Sequence, residues 1–151
     1  MEENIKELLE KLKNIGLDDK IENPENENML YLAYIGDAIY EVFTRDYLIK
    51  RHIKTLKMEE LHKKNVELVC AKSEARVIEK LIDDNLLNDD EIKFYKHARN
   101  AHSNTKSKNS SIIDYRKATG LEALLGLLFY KSDMDRLIAI LDIITQIFDE
   151  R

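Results

Sequence analysis

An all-α fold is predicted by three features of this sequence. Apolar residues recur at offsets of three and four through most of its length, the period of a helix face. Only four Gly and one Pro interrupt 151 residues, whereas a sandwich or barrel needs a turn signal about every 8–12 residues. The third is the abundance of Leu, Ile, Lys and Glu within 44% hydrophobic and 35% charged residues. A chain of this size buries roughly 68–70% of its unfolded surface, enough for a core without covalent staples. Residues 1–151 are therefore read as one domain of about seven helices.

The first helix is expected over residues 3–14, where Ile5, Leu8, Leu9 and Leu12 make a stripe that Gly16 stops. Residues 17–28 carry Asn-Pro and repeated Asn and Glu, and read as a connecting loop. A strongly apolar helix follows over 29–50, striped by Leu32, Ile35, Ile39, Val42 and Phe43, and its placement suggests the centre of the fold. Residues 57–84, with Leu61, Val66, Leu68, Val69, Val77, Ile78, Leu81 and Ile82, fit one long helix or two joined end to end. Asn88 before Asp89, Asp90 and Glu91 is an amino-terminal cap with acids where the helix dipole favours them, so a helix should run over 89–99. Residues 100–111 read as a loop, eight of the twelve being Ser, Thr or Asn. Helical pattern resumes near Tyr115 or Ala118 and continues to 131, and a last helix is expected over 133–148.

The single cysteine, Cys70, excludes an intramolecular disulfide and any zinc site built on several thiolates, and it reads as a small buried hydrophobe. The amino terminus is charged and amphipathic, unlike a signal peptide, and no stretch approaches roughly 18 uninterrupted apolar residues. A cytoplasmic protein without membrane contact is expected. The net charge of −5 argues against a protein that coats nucleic acid generally. Within residues 92–121, however, seven cations face one acid, a net +6, while the remaining 17 cations and 28 acids carry −11. A basic segment on an acidic body has two readings: an ordinary solvated face, or a phosphate-contacting surface.

The sharpest signals are two acids inside apolar helices, Asp37 in LAYIGDAIY and Glu122 in TGLEALLGLL. Burying an ionised carboxylate costs several kcal/mol unless a cation or hydrogen bonds compensate. Each acid could be bonded to an arginine or a helix end. The alternative is a shared cation: magnesium or manganese takes hard oxygen ligands and can neutralise charge on a phosphoryl oxygen. Gly36 and Gly126, lacking side chains, would let the two helices approach closely enough. Tyr31, Tyr34, Tyr40 and Phe43 are spaced as core or interface residues, and Tyr40 could face the site. His52 and His62 read as surface residues, and His97 and His102 as additions to the basic segment. Together, paired acids and a basic loop suggest hydrolysis of a nucleic-acid backbone. A non-catalytic helical RNA-binding module and a protein-interaction domain remain open on residues alone.

LAYIGDAIYEVFTRDYLI resembles the signature helix of the ribonuclease III catalytic domain, and TGLEALLGLLFY resembles its second catalytic helix. LHKKNVELVCAKSEA, Arg99-Asn100-Ala101 before a polar loop, and YRKATGLEALLG bring the sequence closer to the Mini-III branch, which lacks an appended double-stranded-RNA-binding domain. The resemblance spans about residues 29–131. It implies a homodimeric endoribonuclease that cuts double-stranded RNA with magnesium, manganese possible in its place, leaving a 3′-hydroxyl and a 5′-phosphate. In the Mini-III branch it further implies maturation of the ends of precursor 23S ribosomal RNA, with a large-subunit ribosomal protein as a candidate accessory.

By position, Asp37 and Glu122 match the family's metal-binding acids. Lys96, Arg99, Asn100, Lys106, Lys108, Arg116 and Lys117 are the expected RNA contacts, read mainly through duplex shape. Further carboxylates of classical ribonuclease III are replaced here by Leu30, Ala33 and Thr119. Two acids imply weak metal affinity before RNA arrives.

Overall fold

The computed structural model describes residues 2–12, 14–15, 21–52, 54–101 and 111–150. They form seven α-helices: α1 (Glu2–Leu12), α2 (Met29–His52), α3 (Met58–Val69), α4 (Ala71–Asp83), α5 (Asp89–Arg99), α6 (Ile112–Tyr130) and α7 (Met134–Asp149). No strand occurs among the described residues, and none of their helices is long and apolar enough to cross a membrane. The fold is all-α, as the patterning predicts.

The centre is α6, not the helix over 29–50 that the sequence suggested. Every residue of α6 from 118 to 129 is buried except Glu122. A helix apolar on all sides must be enclosed on all sides, and α2, α4, α5 and α7 pack around it. By contrast, α2 is two-faced. Leu32, Ile39, Tyr40 and Phe43 enter the core, while Tyr31, Tyr34 and Val42 stay exposed. Tyr40 is fully enclosed against Phe43 and Phe148 rather than facing the acids.

Two glycines set the spacing of α2 and α6. A Cβ at Gly36 would lie 1.7 Å from the Glu122 carbonyl oxygen, and one at Gly126 would lie 2.0 Å from that of Leu32. Reciprocal contact of this kind, backbone on backbone, is available only to residues without a side chain. The helices therefore touch at both glycines, and the Gly36 contact lies at the level of Asp37 and Glu122.

The stretch 57–84 is two helices joined at Cys70, whose extended backbone (φ −68°, ψ 152°) ends α3 and begins α4. Cys70 is exposed and not a core residue. The break lets α3 lie on α2 while α4 turns across α6. Asn85, at φ 57°, ends α4 through Leu86 N–H to Leu81 O at 2.9 Å and Asn85 N–H to Ile82 O at 3.0 Å, a left-handed cap that asparagine tolerates.

The cap on α5 forms as expected. Asn88 Oδ1 accepts from the Glu91 N–H at 2.8 Å, and Glu91 Oε1 accepts from the Asn88 N–H at 2.9 Å. Glu91 is itself buried and held by Arg136 Nε and Nη2 at 2.8 and 2.7 Å. This is the arginine-neutralised arrangement that Asp37 and Glu122 could have shown. The start of α6 was expected near 115 or 118, but Ser111 caps the Asp114 N–H at 3.0 Å and the helix begins at Ile112. The difference is three to six residues, about one to two turns, and it moves Arg116 and Lys117 from a boundary into the helix.

Candidate active site

Asp37 follows Gly36 on α2, Glu122 stands at the middle of α6, and Glu74 lies in the first turn of α4. One carboxylate oxygen from each lies within 4.8 Å of the others. The glycine contacts explain the first pair: at Gly36 the two backbones meet, so the next residue on α2 and the residue across from it on α6 point into one gap. The third acid arrives because the Cys70 break directs α4 over α6.

Burial differs across the three, and not as the sequence suggested. Asp37 is exposed and Glu122 half-buried, whereas Glu74 is 1% exposed. The fully buried acid is thus one that sequence reasoning passed over. Its signal was present: Glu74 precedes Val77, Ile78 and Leu81 by three, four and seven residues, and all three are 0% exposed. It occupies a core position of its helix, where a carboxylate is costly.

Neither Asp37 nor Glu122 is in an ion pair among the described residues. Burial pushes the Glu122 carboxyl up to about 7, and the charge of Asp37 adds to that rise while a hydrogen bond with Glu74 opposes it. Burial raises Glu74 well above the ordinary carboxylate range, with Glu122 the next contributor. Partial burial and the neighbouring charge of Glu41 raise Asp37. Glu41 is fixed one turn along α2, accepting from Asn65 Nδ2 at 3.0 Å and Arg45 Nε at 3.1 Å. Asn65 in turn accepts from the buried Thr44 hydroxyl at 2.7 Å. All three central acids resist ionisation, first because burial disfavours the charged form and then because negative groups lie beside them: Glu41 at Asp37, Glu122 and Asp37 at Glu74, and Asp37 at Glu122.

A divalent cation would relieve that repulsion. The donors are carboxylate oxygens with no histidine or thiolate among them, which suits magnesium or manganese rather than zinc. Glu74 Oε1 is buried and has no hydrogen-bond partner. An orphaned oxygen in a gap of like charges is what a hard cation would satisfy, so the residues fit the group. Of the two replaced acids nearest the gap, Ala33 and Thr119 are both buried, and Thr119 Oγ1 is turned to the Tyr115 carbonyl at 3.0 Å.

The structure brings together only part of the predicted RNA surface. Lys96, Arg99 and Asn100 close α5, and Arg116 and Lys117 lie in the opening turns of α6, which packs on α5. Lys96 and Arg116 are exposed. Arg99 sits over the Tyr95 ring, 5.7 Å from its centroid, and Lys117 is paired with Glu79 of α4. Lys106, Lys108 and His102 lie outside the described residues. Glu122 is five residues beyond Lys117, about 7.5 Å along the helix axis, so one element carries both the cations and an acid.

Known proteins resemble this chain over most of its length. The ribonuclease III domain family matches residues 30–133, so the chain belongs to that family and is an endoribonuclease. Its relatives narrow this to the Mini-III branch. It is 42% identical to the Mini-ribonuclease 3 of Clostridium tetani, over 82% of this chain and 80% of that one. It is 38% identical to that of Staphylococcus aureus, over 82% and 91%. Among solved structures, a Fusobacterium nucleatum protein superposes with a TM-score of 0.67 at 26% identity, covering 80% of this chain and 93% of its own.

Proposed function

We propose that this protein cuts double-stranded RNA at a divalent ion, magnesium or manganese, held by Asp37 and Glu122, and that its cellular task is maturing the ends of precursor 23S ribosomal RNA. The observation that carries the reading is the convergence of two unneutralised carboxylates, from helices in backbone contact, at a gap open to solvent on the Asp37 side. A divalent ion bound by Asp37 and Glu122 would supply positive charge at the scissile phosphate and lower the pKa of a water that could attack it. The chain's own residues position that chemistry. Glu122 holds the ion from the rigid centre of the fold, and Asp37 holds it from the rim where the strand arrives. Glu41 keeps further negative charge behind Asp37 and favours retention of a cation.

Lys96, Arg99, Asn100, Arg116 and Lys117, with Lys106 and Lys108, bind backbone phosphates along the duplex. RNA duplexes expose phosphates and 2′-hydroxyls rather than base edges, so selection is by shape. Lys117 must exchange Glu79 for a phosphate to take part. Assembly as a homodimer is supported by the exposed face of α2, where Tyr31, Tyr34, Ala38 and Val42 follow helical spacing. An exposed apolar stripe of that kind is characteristic of a partner surface. Cytoplasmic location and help from a large-subunit ribosomal protein complete the proposal.

The test is cleavage of a labelled RNA duplex with magnesium, with chelator, and by Asp37→Asn. The wild type should cut only with metal, and the variant should lose at least about 100-fold in rate, the scale of removing electrostatic stabilisation of a transition state. An Asp37→Asn protein that cuts at the wild-type rate contradicts the assignment.

A further inference from the structure

We infer that Glu74 is a third ligand of the same ion, so that one divalent cation is held before RNA binds; this rests on the metal-dependent reading of the site. Two separate observations lead there. The Glu74 carboxylate reaches within 4.8 Å of oxygens from Asp37 and Glu122, and its Oε1 is buried without a hydrogen-bond partner on a residue only 1% exposed. A glutamate kept solely for structure would find an arginine or backbone donors, as Glu91 does with Arg136. Buried polar oxygens without a partner are rare, and such a group calls for a specific explanation. Glu74 has instead two carboxylates as its neighbours, and a cation satisfies all three at once.

The arrangement alters what the site can do. Carboxylates from α2, α4 and α6 would hold one ion between them and leave its other positions to waters and phosphate oxygens. Two acids would depend on substrate to complete the shell. With three, the ion is in place when the strand arrives, and α4 is tied to the α2–α6 pair through it. Glu74 is the innermost of the three, so it holds the side of the ion away from the RNA.

The test titrates manganese into wild type, Glu74→Gln, Asp37→Asn and Glu122→Gln by calorimetry, without RNA, and follows thermal unfolding of each with and without the metal. Glutamine preserves volume and can still donate a hydrogen bond to Glu122, so it removes ligand charge and little else. Wild type should bind one ion, and Glu74→Gln should bind at least about 10-fold more weakly. Its melting temperature should rise less than that of wild type on adding manganese. If Asp37→Asn and Glu122→Gln weaken binding while Glu74→Gln binds as wild type does, the ligand role is overturned and the nuclease reading stands. Wild type that binds no manganese without RNA overturns it as well, and the duplex-cleavage assay then decides the nuclease reading separately.

Discussion

Glu122 is the residue whose protonation reports most on this site. Its carboxyl titrates near 7 in the folded chain against an ordinary value of 4.5. Between those values the folded state holds a proton that the unfolded state has released. Stability of the metal-free protein should therefore fall as pH rises through that window and level off above it. Raised Glu74 and Asp37 act in the same direction. Glu91 acts oppositely: burial raises its carboxyl, but hydrogen bonds with Arg136 and the Asn88 backbone and the Arg136 charge together outweigh it and leave it lowered, so its stabilisation is present above its ordinary value and lost as pH falls further. Urea unfolding in chelator should show a loss on the order of 2 kcal/mol or more between about pH 5 and pH 8 for wild type, and a smaller one for Glu122→Gln, in which Glu74 and Asp37 still titrate. A pH-independent wild type would contradict the crowding of the acids.

The element that makes the site is the α2–α6 contact, and its glycines are its most sensitive points. Gly36→Ala places a methyl against the Glu122 carbonyl, and neither backbone can yield without the helices separating. The variant should lose about 3 kcal/mol of stability by chemical denaturation while keeping its helical circular dichroism. A loss under about 1 kcal/mol would mean the helices are not held at this distance. Much of this element was legible in the sequence, since small residues beside acids in two apolar helices foretold both the approach and the shared gap. What periodicity left open was direction. A stretch that reads as one or two helices over 57–84 places Glu74 anywhere until Cys70 adopts an extended backbone, and that single residue brings the third acid across α6.

At the scale of the molecule, the acidic body and basic segment are joined through α6, which starts among cations and carries an acid at its buried middle. The all-α class followed from composition and spacing, but the central helix did not. Both α2 and α6 read as apolar, and only packing reveals that α6 is enclosed while α2 keeps Tyr31 and Tyr34 outside. Of the four aromatics read as core or interface, the core takes Tyr40 and Phe43, and Tyr31 and Tyr34 stay exposed. Chain order also hid the third acid, Glu74, which lies far from Asp37 and Glu122 in sequence and on a different helix. Whether this convergence holds a cation is tested most directly by a manganese-soaked crystal, through the metal's anomalous scattering. One strong peak bonded to the Asp37 and Glu122 carboxylates is expected; saturating manganese that leaves this gap empty, or settles only elsewhere, would contradict a metal site here.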